Sequence, residues 1–182
     1  MNAAPTSRLE YALLGLIRQG VKSGYELRKQ FSTTPMGHFS DSPGSIYPAL
    51  KRLAHRGWIR RLREDGGPRG RQSYGLTKAG ESALQAWIAL PVGREDVIWR
   101  LDELLLRFAF MGAGTDRAAA IAFLEAFESH VAQYCRELRG FLGAMPATDL
   151  PTGKLALENG LEQYLAQARW ARRALASLRR ST

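Results

Sequence analysis

The sequence predicts a mainly α chain: three helices and a two-stranded basic hairpin, then an all-helical half ending in a long antiparallel helix pair. Three observations predict it. Apolar residues recur at helical spacing through most of the chain. One Gly/Pro-rich turn, flanked by arginines, interrupts that pattern between Trp58 and Leu76. Near the C-terminus, two apolar stripes advance by alternating steps of four and three, the spacing of helices that pack along their length.

Charge divides the chain in the same way. The net charge is +9 over 182 residues, but residues 1–90 hold 14 Lys/Arg against 6 Asp/Glu, whereas residues 91–182 hold 12 against 11. Positive charge confined to one half is expected of a polyanion-binding module joined to a nearly neutral one. Domains are therefore expected at 1–90 and 91–182. A single cysteine, Cys135, excludes an internal disulfide framework and fits a reducing cytoplasm. The first twenty residues lack a signal-peptide pattern, and no apolar window reaches the roughly 18 residues of a membrane span. The expectation is a soluble, cytoplasmic protein with no membrane partner.

Residues 1–5 precede the first helix, which Thr6 or Ser7 caps and which runs to about Arg18, with Leu9, Leu13, Leu16 and Ile17 on its apolar stripe. Gly20 ends it. Ser23 caps a second helix from Gly24 to about Ser32. Residues Thr33 to Asp41 form a polar connection that Pro35 and Gly37 keep from being helical. The third helix begins between Pro43 and Ile46 and closes at Gly57. Pro48 favours a late start or an irregular first turn, because proline is tolerated in a helix only there.

This third helix organises the rest. Ile46, Leu50, Leu53 and Ala54 form its apolar stripe, while Ser45, Tyr47, Pro48, Lys51, Arg52 and His55 lie opposite. Small residues at the N-terminal end and cations beyond suit entry into the major groove of DNA. The hairpin follows: a strand over 58–63, a turn over 64–70 and a return over 71–76, with Gln72, Tyr74 and Leu76 on one face. Arg60, Arg61, Arg63, Arg69 and Arg71 crowd its tip and flanks, more densely than a merely solvated hairpin needs, and supply bidentate phosphate contacts.

Three helices followed by a basic hairpin make a winged helix-turn-helix. The sequence here resembles the PadR-type transcriptional regulators, in the branch with a helical C-terminal domain. The segments that carry the resemblance are residues 12–17 (ALLGLI), 23–27 (SGYEL), 44–53 (GSIYPALKRL) and 74–80 (YGLTKAG), in order and correctly spaced. Residues 8–90 are covered closely, the remainder more loosely. Trp58 departs from the pattern, standing where a leucine is more usual, which changes packing under the wing. The resemblance implies a repressor and a small aromatic or drug-like effector. The candidate DNA contacts are Tyr25, Ser42, Gly44, Ser45, Tyr47, Pro48, Lys51, Arg52, Arg69 and Arg71.

Thr77 caps a fourth helix to about Leu90, with Leu84, Trp87 and Ile88 facing inward, and residues 91–96 form a hinge. One very apolar helix is expected from Val97 to Met111. Then come the two stripes: Ala120, Leu124, Phe127, Val131, Tyr134, Leu138 and Phe141, and, after a break at 143–153, Leu157, Leu161, Tyr164, Ala168, Ala171, Leu175 and Leu178. A seam this long is too apolar to leave in water, and symmetric pairing of two copies buries it most simply. Leu124, Phe127, Val131, Leu157, Leu161, Leu175 and Leu178 are the candidate dimerisation residues. An effector is expected between the halves or at the dimer interface, near Trp99, Phe108, Tyr164 or Trp170.

No enzyme is visible. His38, His55 and His130 have no second ligand at metal spacing, so no metal or cofactor is expected. The Gly-rich turn lacks the Gly-Lys-Ser/Thr ending of a phosphate loop, and no Gly-x-Ser-x-Gly elbow exists. Cys135 falls beside a seam, where a packed thiol is expected. The expected partners are a pseudo-palindromic duplex operator, a second copy of the chain and a small aromatic effector. A protein–protein adaptor on a winged-helix scaffold is the alternative, but an adaptor has no need of an arginine wing. RNA binding ranks behind both, since no aromatic-rich sheet is present.

Overall fold

The structure, a computed structural model, describes residues 6–21, 23–40, 43–62, 73–112, 115–147 and 150–180. The chain separates into two compact units, Met1–Ala89 and Leu90–Thr182.

In the first unit, α1 (Arg8–Arg18), α2 (Gly24–Thr33) and α3 (Ile46–His55) enclose an apolar centre, with β1 (Ile59–Leu62), β2 (Ser73–Leu76) and α4 (Lys78–Ile88) closing it. Both early helices begin with a capping box. Ser7 receives the Glu10 amide while Glu10 receives that of Ser7, and Ser23 and Glu26 repeat the exchange. Leu13, Leu14, Leu27, Ile46, Leu50, Leu53 and Leu84 are fully buried together. Tyr11 stacks on Trp87, ring centroids 4.5 Å apart, and ties α1 to α4. The strands pair antiparallel with Ile59 opposite Leu76, and Ser23 forms an isolated bridge to Ser73. The base of the hairpin is thus fastened to the cap of α2. Its turn lies outside the described residues.

Two local expectations change. Residues Pro35–Phe39 form a 3-10 helix rather than a non-helical connection. Thr34 caps it by accepting the Met36 amide, and Pro35 sits in its first turn, where a missing N–H costs nothing. On α3 the fourth buried position is Ala49 rather than Ala54, which is exposed. Ala49 is three residues after Ile46 and four before Leu53, so it completes the stripe, whereas Ala54 falls on its edge. Gly57, at φ 70°, closes α3 in the left-handed region, as a helix-ending glycine does.

The second unit holds α5 (Arg94–Trp99), α6 (Leu101–Ala109), α7 (Arg117–Ala144) and α8 (Thr152–Arg180). The single helix expected over Val97 to Met111 is two helices, broken at Arg100 with φ −138° and ψ 33°. Val97, before the break, and Leu104, after it, both lie in the core of this unit. Helices α7 and α8 run antiparallel: Arg179 pairs with Glu125 near one end, Arg172 with Glu128, and the Tyr134 and Tyr164 rings meet edge to face further along. Phe123, Leu124, Phe127, Val131, Cys135, Ala168, Ala171 and Leu175 fill the space between them. Arg107 is buried, donates to the Leu90 carbonyl and lies over the Phe123 ring; burial lowers its pKa from the ordinary guanidinium value.

At Gly80 the backbone leaves no room for a side chain. A Cβ on Gly80 would overlap the Trp58 carbonyl oxygen, where α4 starts against the base of the wing. Gly80→Ala should therefore destabilise the protein by about 1–3 kcal/mol through overpacking, lowering the urea midpoint. On α7 a Cβ at Gly140 meets nothing within 4 Å, so Gly140→Ala should stabilise by about 0.5–1 kcal/mol. Equal midpoints for the two variants would show that the Trp58 carbonyl moves aside freely.

Candidate nucleic-acid interface

The approach to α3 is built from short polar residues. A 3-10 turn, Pro43–Ser45, leads directly into the helix, so the start is irregular, as Pro48 required. Pro48 is the third helical residue, where its absent N–H would have had no intrahelical acceptor. The Ser45 side chain does not cap α3; its hydroxyl lies 2.9 Å from that of Ser40. Gly44, Tyr47, Pro48, Lys51, Arg52 and His55 are exposed and Ser45 is half-buried.

The N-termini of α2 and α3 come together. A Cβ on Gly24 would stand 3.0 Å from Tyr47 Cε1, so the Tyr47 ring lies against the start of α2 while remaining 50% exposed. Tyr25, the next residue, is 68% exposed. The structure thereby brings Tyr25, Gly44, Ser45, Tyr47 and Pro48 to the N-terminal ends of α2 and α3, with Lys51 about one turn further along α3. On β1, Arg60 and Arg61 are exposed. Ser42, Arg69 and Arg71, also expected at the interface, lie outside the described residues.

Arg52 is differently placed from Lys51. Its Nε donates to Glu10 Oε1 at 2.8 Å, and Glu10 is only 1% exposed. Arg56 approaches the other oxygen, Oε2, at 3.7 Å, donates to Thr6 Oγ1 and lies over the Trp58 ring. Glu10 was not among the expected site residues. The Ser-x-x-Glu spacing from Ser7 marks a capping glutamate, but nothing local links it to arginines 42 and 46 residues away.

In the second unit the expected effector aromatics separate. Phe108 and Trp170, edge to face at 5.5 Å, line an open groove of about 540 Å³ with Leu105, Ala109, Ala166 and Gln167. Tyr164 lines an adjoining cavity of about 270 Å³ with Leu101, Gln163, Ala166 and Gln167, and its hydroxyl donates to the Val97 and Ile98 carbonyls. Burial raises the Tyr164 pKa above the ordinary phenol value. Trp99 lines neither cavity; it ends α5 and is 76% exposed.

The seam residues separate too. Leu124, Phe127 and Val131 are fully buried against the chain's own α8, and Leu175 is nearly so. Leu157, Leu161 and Leu178 are half-buried. At the end of the pair formed by the C-terminus of α7 and the N-terminus of α8, Phe141, Met145, Leu150 and Leu155 are exposed. Phe141, expected in the seam, is therefore outside it. Among the described residues no group of three or more His, Cys, Asp or Glu gathers to hold a metal, and no helix is long and apolar enough to cross a membrane.

Comparison with known proteins fits the two units separately. Residues 13–86 match the transcriptional regulator PadR-like family, and residues 102–179 match the virulence activator alpha C-terminal family. The chain carries a PadR-like domain followed by a virulence activator C-terminal domain. The negative transcriptional regulator PadR of Bacillus subtilis (strain 168) is 26% identical over 179 residues, covering 93% of this chain and 97% of that one. Among solved structures, Bacillus subtilis PadR in complex with operator DNA is similar at 26% identity, over 93% of this chain and 98% of that chain, with a TM-score of 0.41. The same protein in complex with p-coumaric acid is 25% identical, over 99% of this chain and all of that one, with a TM-score of 0.43. The PadR-like family and this curated relative are transcriptional regulators, not enzymes.

Within the C-terminal domain, Cys135 is packed in the core, and burial pushes its thiol pKa up despite the nearby Arg139, Arg136 and Arg172. A raised pKa means less thiolate at neutral pH, so the group should be inert. An aromatic disulfide reagent should leave the native protein unlabelled over minutes and titrate one thiol in urea. Rapid labelling of the native protein would show that the α7–α8 core opens readily.

Proposed function

We propose that the chain is a cytoplasmic, sequence-specific repressor that binds a pseudo-palindromic duplex operator as a homodimer and responds to a small aromatic effector. The observation that carries the reading is α3. Its apolar face is wholly used in the core, and its opposite face offers Ser45, Tyr47, Pro48, Lys51 and Arg52, on the domain matched to the PadR-like regulators. A helix so presented, beside a hairpin carrying Arg60 and Arg61, suits readout in the major groove with the wing on the phosphates. The repressor sign follows the Bacillus subtilis relative, a negative regulator.

Dimerisation is assigned to the second domain. Because Leu124, Phe127 and Val131 are consumed within the chain, the exposed Phe141, Met145, Leu150 and Leu155, gathered at one end of the α7–α8 pair with the half-buried Leu157 and Leu161, are the surface we assign to a second copy. The groove between α6 and α8 is the proposed effector site, with Phe108 and Trp170 as its aromatic walls and Gln167 as its polar group. An effector acts by binding two dimer states unequally.

Selection of bound sequences from random duplex DNA tests the reading, and a symmetric consensus with half-site centres about 10 bp or a multiple apart is expected. Recovery of no consensus would reject it. As a base reader, Lys51→Ala should cost about 1–3 kcal/mol on that operator and relax one position per half-site; as a phosphate contact it should weaken all duplexes alike. Replacing Arg69 and Arg71 by Ala should lower the salt dependence by about one unit of log–log slope per lost phosphate contact. An unchanged slope would remove the hairpin tip from the interface.

Two kinds of charge insertion separate folding from assembly. Leu175→Asp places a charge in the chain's own core and should unfold it, at a cost of several kcal/mol. Phe141→Asp or Leu155→Asp should instead yield folded monomers by sedimentation. Normal dimers from both exposed-site variants would move the interface elsewhere. Trp170 fluorescence is the readout for an effector, with p-coumaric acid the first probe, and Ala166→Trp should block the change by filling the groove.

A further inference from the structure

Arg52 and Glu10 form an unequal pair. The Glu10 side chain is 1% exposed and that of Arg52 50%, so one partner belongs to the interior and the other to the surface. The carboxylate itself is anchored, since its Oε2 accepts the Ser7 amide at 2.8 Å while Oε1 takes Arg52 Nε at 2.8 Å. Only the inner nitrogen of the guanidinium is engaged; among the described residues its two terminal nitrogens have no hydrogen-bond partner. A guanidinium held through Nε on a fixed acceptor cannot swing freely, and its outer edge is the one that makes two parallel hydrogen bonds to a guanine or a phosphate. Lys51, one residue earlier, has no such support among the described residues and is a compact point charge on a flexible stem.

We propose that Glu10 is a positioning residue for DNA reading: its buried carboxylate holds Arg52 so that the guanidinium's outer edge meets a guanine in each half-site. This rests on the DNA-binding function proposed above and extends it to a residue on α1, away from the recognition helix. Pre-orientation raises discrimination more than general affinity, because the ordering of the long side chain has already occurred in the free protein.

The test uses the full chain with its selected operator and a random duplex of equal length, titrated over a salt series. Arg52→Lys keeps the charge and removes the planar edge. It should cut the operator-to-random affinity ratio about tenfold or more while leaving the salt slope unchanged. Glu10→Gln should cut the ratio similarly, and should cut it no further in an Arg52→Ala background. In the parent, an NMR signal from the Arg52 Nε–H that exchanges slowly with water is expected before any DNA is added, which tests the anchoring even if Glu10→Gln fails to fold. A fast-exchanging Nε–H, a parent-like ratio for Arg52→Lys, or an additive loss in the double variant would overturn the proposal. So would a Glu10→Gln variant that binds both duplexes more tightly, for then Glu10 withholds Arg52 from DNA. A parent that failed to distinguish operator from random duplex would instead overturn sequence reading itself.

Discussion

A buried carboxylate between α1 and α3 sets how α3 is presented. Apolar packing of Leu13, Ile46, Leu50 and Leu53 brings the helices together and sets which face of α3 turns inward, but the hydrophobic effect itself supplies no directional contact. Glu10 supplies direction. It accepts the Ser7 amide at the α1 N-terminus, Arg52 Nε in the middle of α3, and lies near Arg56 at the end of α3. Glu10 is buried while Arg52 is half exposed, so the interior charge depends on its partners more than the surface one does. The pair adds a directional contact between α1 and α3 to the packing of their leucines.

A second polar lock sets the wing. Thr77 donates its hydroxyl to the Gly57 carbonyl, accepts the Gly80 amide, and donates its own amide to the Trp58 carbonyl. One residue thus joins the end of α3, the entry to β1 and the start of α4. Gly80 is needed there because α4 begins in contact with the Trp58 backbone. The bridge from Ser23 to Ser73 ties the returning strand to α2. The base of the hairpin is consequently referred to the same helices that position Tyr25 and Tyr47.

What was legible in the sequence follows the range of the interactions. Ser7, Ser23 and Thr77 announce helix starts because a cap acts within three residues, and Gly57 announces an end for the same reason. The exposed side of α3 could be read from its period. Glu10 could not be linked to Arg52, since the two meet only through the packing of α1 on α3. The break at Arg100 was not visible in the period: Val97, Leu101, Leu104, Leu105 and Phe108 keep helical spacing across it. The α7–α8 stripes were visible, but a heptad stripe is the same whether its partner is another chain or the next helix. Here the next helix fills it for Leu124, Phe127 and Val131.

Charge constrains how two such chains can pair. Residues 1–90 carry a net +8 and residues 91–182 a net +1. Apposing two of the first domains face to face in water brings like charges together, whereas apposing two of the second meets little electrostatic resistance. Four exposed apolar residues, Phe141, Met145, Leu150 and Leu155, gather on the nearly neutral domain at one end of the α7–α8 pair. A polyanion reverses the first term, since a duplex offers a phosphate charge about every 1.7 Å of its axis and neutralises both basic domains at once. For the homodimeric reader proposed above, pairing through the neutral half and reading through the basic half are complementary demands, and the division of charge along the chain suits both.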